Sequence, residues 1–217
     1  MLLINGMPVI HIELKRSDTP VSEAYNQIEK YMHEGVIRVL FSLVQVFFAM
    51  EPKERIYFAS AGEDVVLNKS FYFHWANFDN VAINDWDEVV AELLNIPMAH
   101  KLIGFYTIAD TDDGILKVMR SYQYRAAEGI AAAVRKKNKD WNEGGQLGGH
   151  VWHTTGSGKT MTSFKSAQLI ASSHDADKVV FLVDRKELAI QSLKEYRSFG
   201  NDDDTVQATE NTDILVS

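Results

Sequence analysis

A chain of 217 residues with 46% apolar content can bury one large core or two small ones. Its formal charge of −8 gives no overall basic footprint for nucleic acid, although binding depends on where cations cluster rather than on their sum. The absence of cysteine excludes disulfides, cysteine-ligated zinc and iron–sulfur clusters, and makes a reducing cytoplasm the default compartment.

Met1 to Gly6 lacks a cationic start followed by a long apolar stretch, so it does not read as a signal peptide. Leu2 to Ile4 and Val9 to Lys15 instead predict two strands around Asn5-Gly6, a strong hairpin signal. In the second strand Ile10, Ile12 and Leu14 point one way, and His11, Glu13 and Lys15 the other. A solvated charged face accounts for this alternation. So does a carboxylate and an ammonium placed to hold Mg²⁺ and act on a phosphodiester, and spacing alone does not choose.

Thr19-Pro20 breaks the strand, and Val21 to Glu34 predicts a helix with Ser22 as cap and Gly35 as stop. Gln27 and Tyr31 lie four apart on one of its faces. The run from Val36 to Met50 carries Arg38 and Gln45 and is shorter than the roughly 20 residues of a membrane span, so it reads as buried strand and helix end. Val44 to Met50 and Arg55 to Phe58 predict a hairpin around Glu51 to Glu54. The aromatic patch Phe71 to Trp75 reads as an interior contact in preference to a base-stacking surface. Asp87 to Leu94 predicts a short helix stopped near Pro97, and Ala99 to Lys117 reads as irregular, which places a domain boundary there.

The second part opens at Val118, where Arg120-Ser121-Tyr122-Gln123 leads into an alanine-rich helix ending in Arg135-Lys136-Lys137. A glycine-rich loop, Asn142 to Gly149, follows. Val151 to Met161 then has the order strand, glycine-rich loop, helix. In Thr154-Thr155-Gly156-Ser157-Gly158-Lys159-Thr160, backbone N–H groups and a helix N-terminus would cradle phosphates. Lys159 would reach the β- and γ-phosphates and the Thr160 hydroxyl would ligate Mg²⁺. His153 stands where the general pattern has glycine. Met161 to Ser173 predicts the loop's helix, Lys178 to Val183 a buried strand, Lys186 to Phe199 a second helix and Asp213 to Val216 a further strand, a parallel α/β arrangement. Asp184 ends its apolar run like a Walker B acid, but Arg185-Lys186 follow where a catalytic carboxylate belongs; Asp202 to Asp204 reads as a solvated loop.

Taken together, these motifs resemble the R (restriction, motor) subunit of type I restriction-modification enzymes over nearly the whole chain. Val9 to Lys15 looks like the family's PD-(D/E)xK nuclease motif, which implies catalytic Glu13 and Lys15 with Glu13 on metal, and Gln27 to Tyr31 is similar to the QxxxY motif that follows it, which implies that Gln27 and Tyr31 belong to the catalytic set as well. Arg120 to Gln123 looks like an adenine-reading motif ahead of a superfamily 2 helicase motor, which implies that Arg120 and Gln123 serve ATP together with Thr155, Gly156, Ser157, Gly158, Lys159 and Thr160. His153 is typical of the family's motif I, and Val183 to Leu188 resembles motif Ia, which favours a DNA-contact or structural role for Asp184.

The resemblance implies α/β architecture throughout: a partial PD-(D/E)xK nuclease domain, a mixed sheet with helices, over 1–110, and the start of a RecA-like P-loop parallel α/β domain over 111–217. It implies ATP and Mg²⁺ as cofactors, and double-stranded DNA with the modification (methyltransferase) and specificity subunits as partners, with no membrane. It also implies a nuclease aspartate before residue 1 and a DEAH-type Walker B beyond residue 217, so that this stretch completes neither reaction alone. Two other readings stay open on the residues themselves, namely a different P-loop ATPase with an accessory N-terminal domain and a non-catalytic nucleotide-binding module.

Overall fold

The computed structural model describes residues 1–37, 39–60, 67, 69–140, 148–200 and 206–209, except for the side chains of 137–140. The chain divides into two compact units, one of Met1–Ala109 with Gly114–Arg125 and one of Asp110–Asp113 with Ala126–Ser217.

The first unit is built on a mixed four-stranded sheet of order β1-β2-β3-β4, with strands Leu2–Ile4, Met7–Leu14, Val46–Met50 and Arg55–Ala59. Asn5 and Gly6 adopt φ of 50° and 81°, the left-handed pair that a tight hairpin needs, and so β1 lies antiparallel to β2. Helix α1 (Val21–His33) follows β2 and returns the chain so that β3 runs parallel to β2, with Ile10 opposite Val46 and Glu13 opposite Ala49. β4 then turns back antiparallel to β3. Helix α1 buries Val21, Ala24, Tyr25 and Ile28 against Phe47, Ala49, Ile56 and Phe58 on one face of the sheet. Fully burying side chains of this size is worth roughly 1.5–3 kcal/mol each, which fixes the helix over that face.

The helix start corrects the sequence reading: Pro20, not Ser22, is the N-cap, and no side chain caps the first turn. Proline pre-sets the entry φ, and its carbonyl accepts the Glu23 N–H at 2.9 Å to close the first turn. A second correction falls at Val39 to Leu43, an exposed 3-10 turn instead of part of a buried strand and helix end. Val39 takes φ 54°, a conformation that β-branched residues rarely adopt, and this excludes it from either regular element.

The aromatic patch enters the interior. Phe73 exchanges backbone hydrogen bonds with Tyr57 on β4, Trp75 is buried, and only Phe71 turns outward. Helix α2 (Trp86–Glu92) is capped by Asp85, whose Oδ1 accepts from the Asp87 N–H at 2.8 Å. The segment after it is not irregular. Pro97 stands in the first turn of helix α3 (Ile96–Gly104), where its missing N–H costs nothing, so it starts a helix instead of stopping one. Strands β5 (Thr107–Asp110) and β6 (Ile115–Val118) form a separate two-stranded sheet.

Helix α4 (Ser121–Asp140) begins in the first unit and continues into the second. The second unit also holds α5 (Lys159–Ser172) and α6 (Lys186–Gly200), packed through Phe164, which meets Tyr196 and Phe199 edge-on at 5.4 and 5.5 Å. The expected buried strands do not form among the described residues. Val151 and Trp152 are exposed, and Val179 to Leu182 are 44–91% exposed. Neither run finds a ladder partner there, and an apolar run becomes a strand only when its backbone N–H and C=O groups are paired. The expected loop over 142–147, the acidic run Asp202 to Asp204 and the strand Asp213 to Val216 lie outside the described residues. Among the described residues no helix is long and apolar enough to cross a membrane.

Candidate active sites

The first site lies on the helix-covered face of the sheet. Period-two alternation along β2 sends His11 and Glu13 to that face, beside their register partners Phe47 and Ala49. Lys15 follows, its backbone N–H held by the Met50 carbonyl at 2.8 Å. Its ammonium Nζ donates to Glu13 Oε1 at 3.3 Å, and both side chains are mostly buried. The other carboxylate oxygen, Oε2, lies 3.5 Å from His11 Nε2. Each oxygen of Glu13 is therefore flanked by one nitrogen.

Burial pushes the His11 imidazole below its ordinary range, against the pull of Glu13. Its Nε2 is buried without an ordinary hydrogen bond. From α1, Tyr31 meets the His11 ring edge-on, with centroids 6.2 Å apart and planes at 82°. The structure thus brings Tyr31 to Glu13 by way of His11. Gln27, one turn earlier and half-buried, makes no side-chain hydrogen bond among the described residues. Alternation along β2 had placed His11 beside Glu13, but only the docking of α1 puts it next to Tyr31.

Mg²⁺ keeps several waters and needs only one or two protein carboxylates, so Glu13 fits such an ion as a single ligand. Among the described residues no group of three or more His, Asp or Glu side chains is gathered to hold a metal.

The second site is the loop ahead of α5. Gly156 and Gly158 adopt φ of 74° and 78°, with Gly158 as the left-handed N-cap, so side chains there would be strained. A Cβ on Gly156 would meet no atom within 4 Å, so the space beside it is open. Three donors converge on the Thr154 carbonyl: Lys159 Nζ at 2.9 Å, Ser157 Oγ at 2.7 Å and the Ser157 N–H at 3.4 Å. This curls the loop and lays the Lys159 ammonium across it. Thr155 is exposed, and Thr160 is half-buried in the first turn of α5. Ammonium, hydroxyl and helix N-terminus on one short arc fit the phosphates of a magnesium nucleotide. Burial, and then the Lys159 charge, lower the pKa of His153.

Arg120 and Gln123 belong to the first unit, the loop to the second. Gln123 is buried and its Oε1 accepts from the Arg120 N–H at 2.9 Å, the return half of a capping box at the start of α4. The Arg120 guanidinium lies 4.4 Å over the Phe73 ring and donates to the Tyr122 hydroxyl at 3.2 Å. Asp184 is largely exposed, 3.8 Å from Arg185, and nothing about its surroundings marks a metal-holding acid.

Comparison with known proteins follows the same two-part division. Residues 1–71 match the type I restriction enzyme R protein N terminus, and residues 122–217 match the SWI2/SNF2 ATPase. Over 143 residues the chain is 36% identical to the C-terminal part of the type I restriction enzyme MpnIIP endonuclease subunit of Mycoplasma pneumoniae, covering 65% of this chain and 68% of that protein. The chain belongs to the type I restriction endonuclease subunit family. Among other members, it is 37% identical over 215 residues to the type I restriction enzyme SauCOLORF180P endonuclease subunit of Staphylococcus aureus, or 99% of this chain and 22% of the relative. It is 31% identical over 136 residues to the EcoprrI endonuclease subunit of Escherichia coli, 62% of this chain and 43% of that protein. The chain therefore spans about a fifth of the Staphylococcus proteins that it matches end to end.

Proposed function

We propose that this chain supplies the nuclease strand and the ATP-binding loop of a type I restriction endonuclease subunit, which couples ATP hydrolysis to translocation along duplex DNA and to Mg²⁺-dependent phosphodiester cleavage. The proposed division is a PD-(D/E)xK nuclease part over 1–110 and a RecA-like motor part over 111–217. The observation that carries the reading is the Glu13–Lys15 pair, 3.3 Å apart on the sheet face that α1 covers. A charge pair that only solvated an outer strand face would not be mostly buried beside a helix.

In this reading Glu13 holds the ion, and the Lys15 ammonium meets the negative charge that develops on the scissile phosphate. Bound Mg²⁺ supplies Lewis-acid polarisation and an activated water. In the second unit the loop would bind MgATP, with the Lys159 ammonium, which now donates to the Thr154 carbonyl, as the phosphate ligand and the Thr160 hydroxyl as the residue to hold the metal. Gln123, with Arg120 beside it, would read adenine. The partners proposed are double-stranded DNA and the modification and specificity subunits, and the compartment is the cytoplasm.

Two variants of the restriction endonuclease subunit that carries this sequence test the reading together. Glu13→Ala should lower DNA cleavage on the order of 100-fold or more and leave ATP hydrolysis intact. Lys159→Ala should abolish ATP binding. Cleavage that survives Glu13→Ala removes the nuclease assignment, and unchanged nucleotide affinity in Lys159→Ala removes the motor.

A further inference from the structure

We infer that His11 is a positioning residue for Glu13, and that Tyr31 acts on the same carboxylate only through the His11 ring. The inference rests on the nuclease reading of Glu13 and extends it to two residues that never touch the substrate.

The geometry is a short relay. β2 and β3 are parallel and in register, so His11 stands opposite Phe47, and their rings lie 5.9 Å apart. Tyr31 closes on the imidazole from α1, edge-on at 6.2 Å. The ring is held from the strand side and from the helix side, and its Nε2 is left facing Glu13 Oε2 at 3.5 Å. Lys15 Nζ holds the opposite oxygen at 3.3 Å. With both oxygens flanked, the carboxylate plane is set before any ion arrives.

Packing alone does not explain a histidine here. An apolar ring would fill the space between Tyr31 and Phe47 without burying a polar nitrogen that lacks an ordinary hydrogen bond. Groups that orient a metal-binding side chain from behind commonly change metal affinity when removed, although they never contact the ion. Of the Gln27–Tyr31 pair, Tyr31 is the member whose ring meets His11.

Mn²⁺ binding by the full chain, read by electron paramagnetic resonance with the metal alone and no nucleotide, tests this directly. His11→Ala should bind Mn²⁺ about tenfold more weakly than the parent. His11→Gln, which can still present an N–H toward Oε2, should recover most of the loss. Tyr31→Phe keeps the ring and should match the parent, whereas Tyr31→Ala should resemble His11→Ala. Thermal unfolding of each variant identifies any that fails to fold, and if His11→Ala does so, the Phe and Ala variants of Tyr31 decide the question. Parent-like Mn²⁺ binding in folded His11→Ala, or in Tyr31→Ala, overturns the relay. A different result, Mn²⁺ binding that does not respond to Glu13→Gln, overturns the nuclease reading beneath it.

Discussion

Lys165, on the helix that follows the phosphate loop, is 5% exposed, and its Nζ donates to Gln168 Oε1 at 2.6 Å. Burial holds this ammonium down to about 8, below its ordinary 10.5. The unfolded chain therefore binds the proton more tightly than the folded one. The cost to the folded state is complete below about pH 8 and is relieved as pH rises from there toward 10.5. Lys165→Met should stabilise the protein at pH 7 by ~1–3 kcal/mol, with the gain shrinking toward pH 10. Urea unfolding at the two pH values checks this, and an equal gain at both would show that burial of the charge is not the cause. Period two put His11, Glu13 and Lys15 on one face of their strand, but the family motif, not the spacing, marked Glu13 and Lys15 as nuclease residues. The contact between His11 and Tyr31 was not legible, because it exists only once a helix from elsewhere in the chain docks on that strand.

At the scale of elements, Asn95 joins two helices. Its side-chain nitrogen donates to the Ala91 and Glu92 carbonyls at the end of α2, and its Oδ1 accepts from the Met98 N–H at the start of α3. One side chain thus satisfies orphan groups of two helix termini. Asn95→Ala should cost ~1–2 kcal/mol, read as a lower unfolding midpoint, whereas Asn95→Asp, which keeps the acceptor, should lose less. A midpoint unchanged in Asn95→Ala would show that water replaces these bonds. The same junction explains a misreading: a proline after an apolar helix reads as a stop, yet with Asn95 as cap it is the start of the next helix. Local chemistry was enough for the Asn5-Gly6 hairpin and for α1. It was not enough for Val179 to Leu182, where hydrophobicity predicts a buried strand but pairing decides, and among the described residues no partner is there.

At the scale of the whole molecule, the two family matches fall on different compact units: 1–71 within the first, and 122–217 almost wholly within the second. The first unit's central pairing also bears on how that unit reaches its native state. β1 with β2, and β3 with β4, close through short turns, and such hairpins form in roughly 1–10 μs. The β2–β3 ladder joins residues as distant in sequence as Ile10 and Val46, both fully buried, with α1 between them in the chain. Loop closure on that scale precedes its reward, so this ladder should set the barrier. In stopped-flow refolding, Val46→Ala should slow the folding limb, whereas Leu3→Ala, on the exposed outer strand, should leave it nearly unchanged. Equal effects would place the nucleus elsewhere. The strand that carries Glu13 would then be the last of the sheet to find its central neighbour, so that the nuclease-like face assembles only when the unit commits to folding.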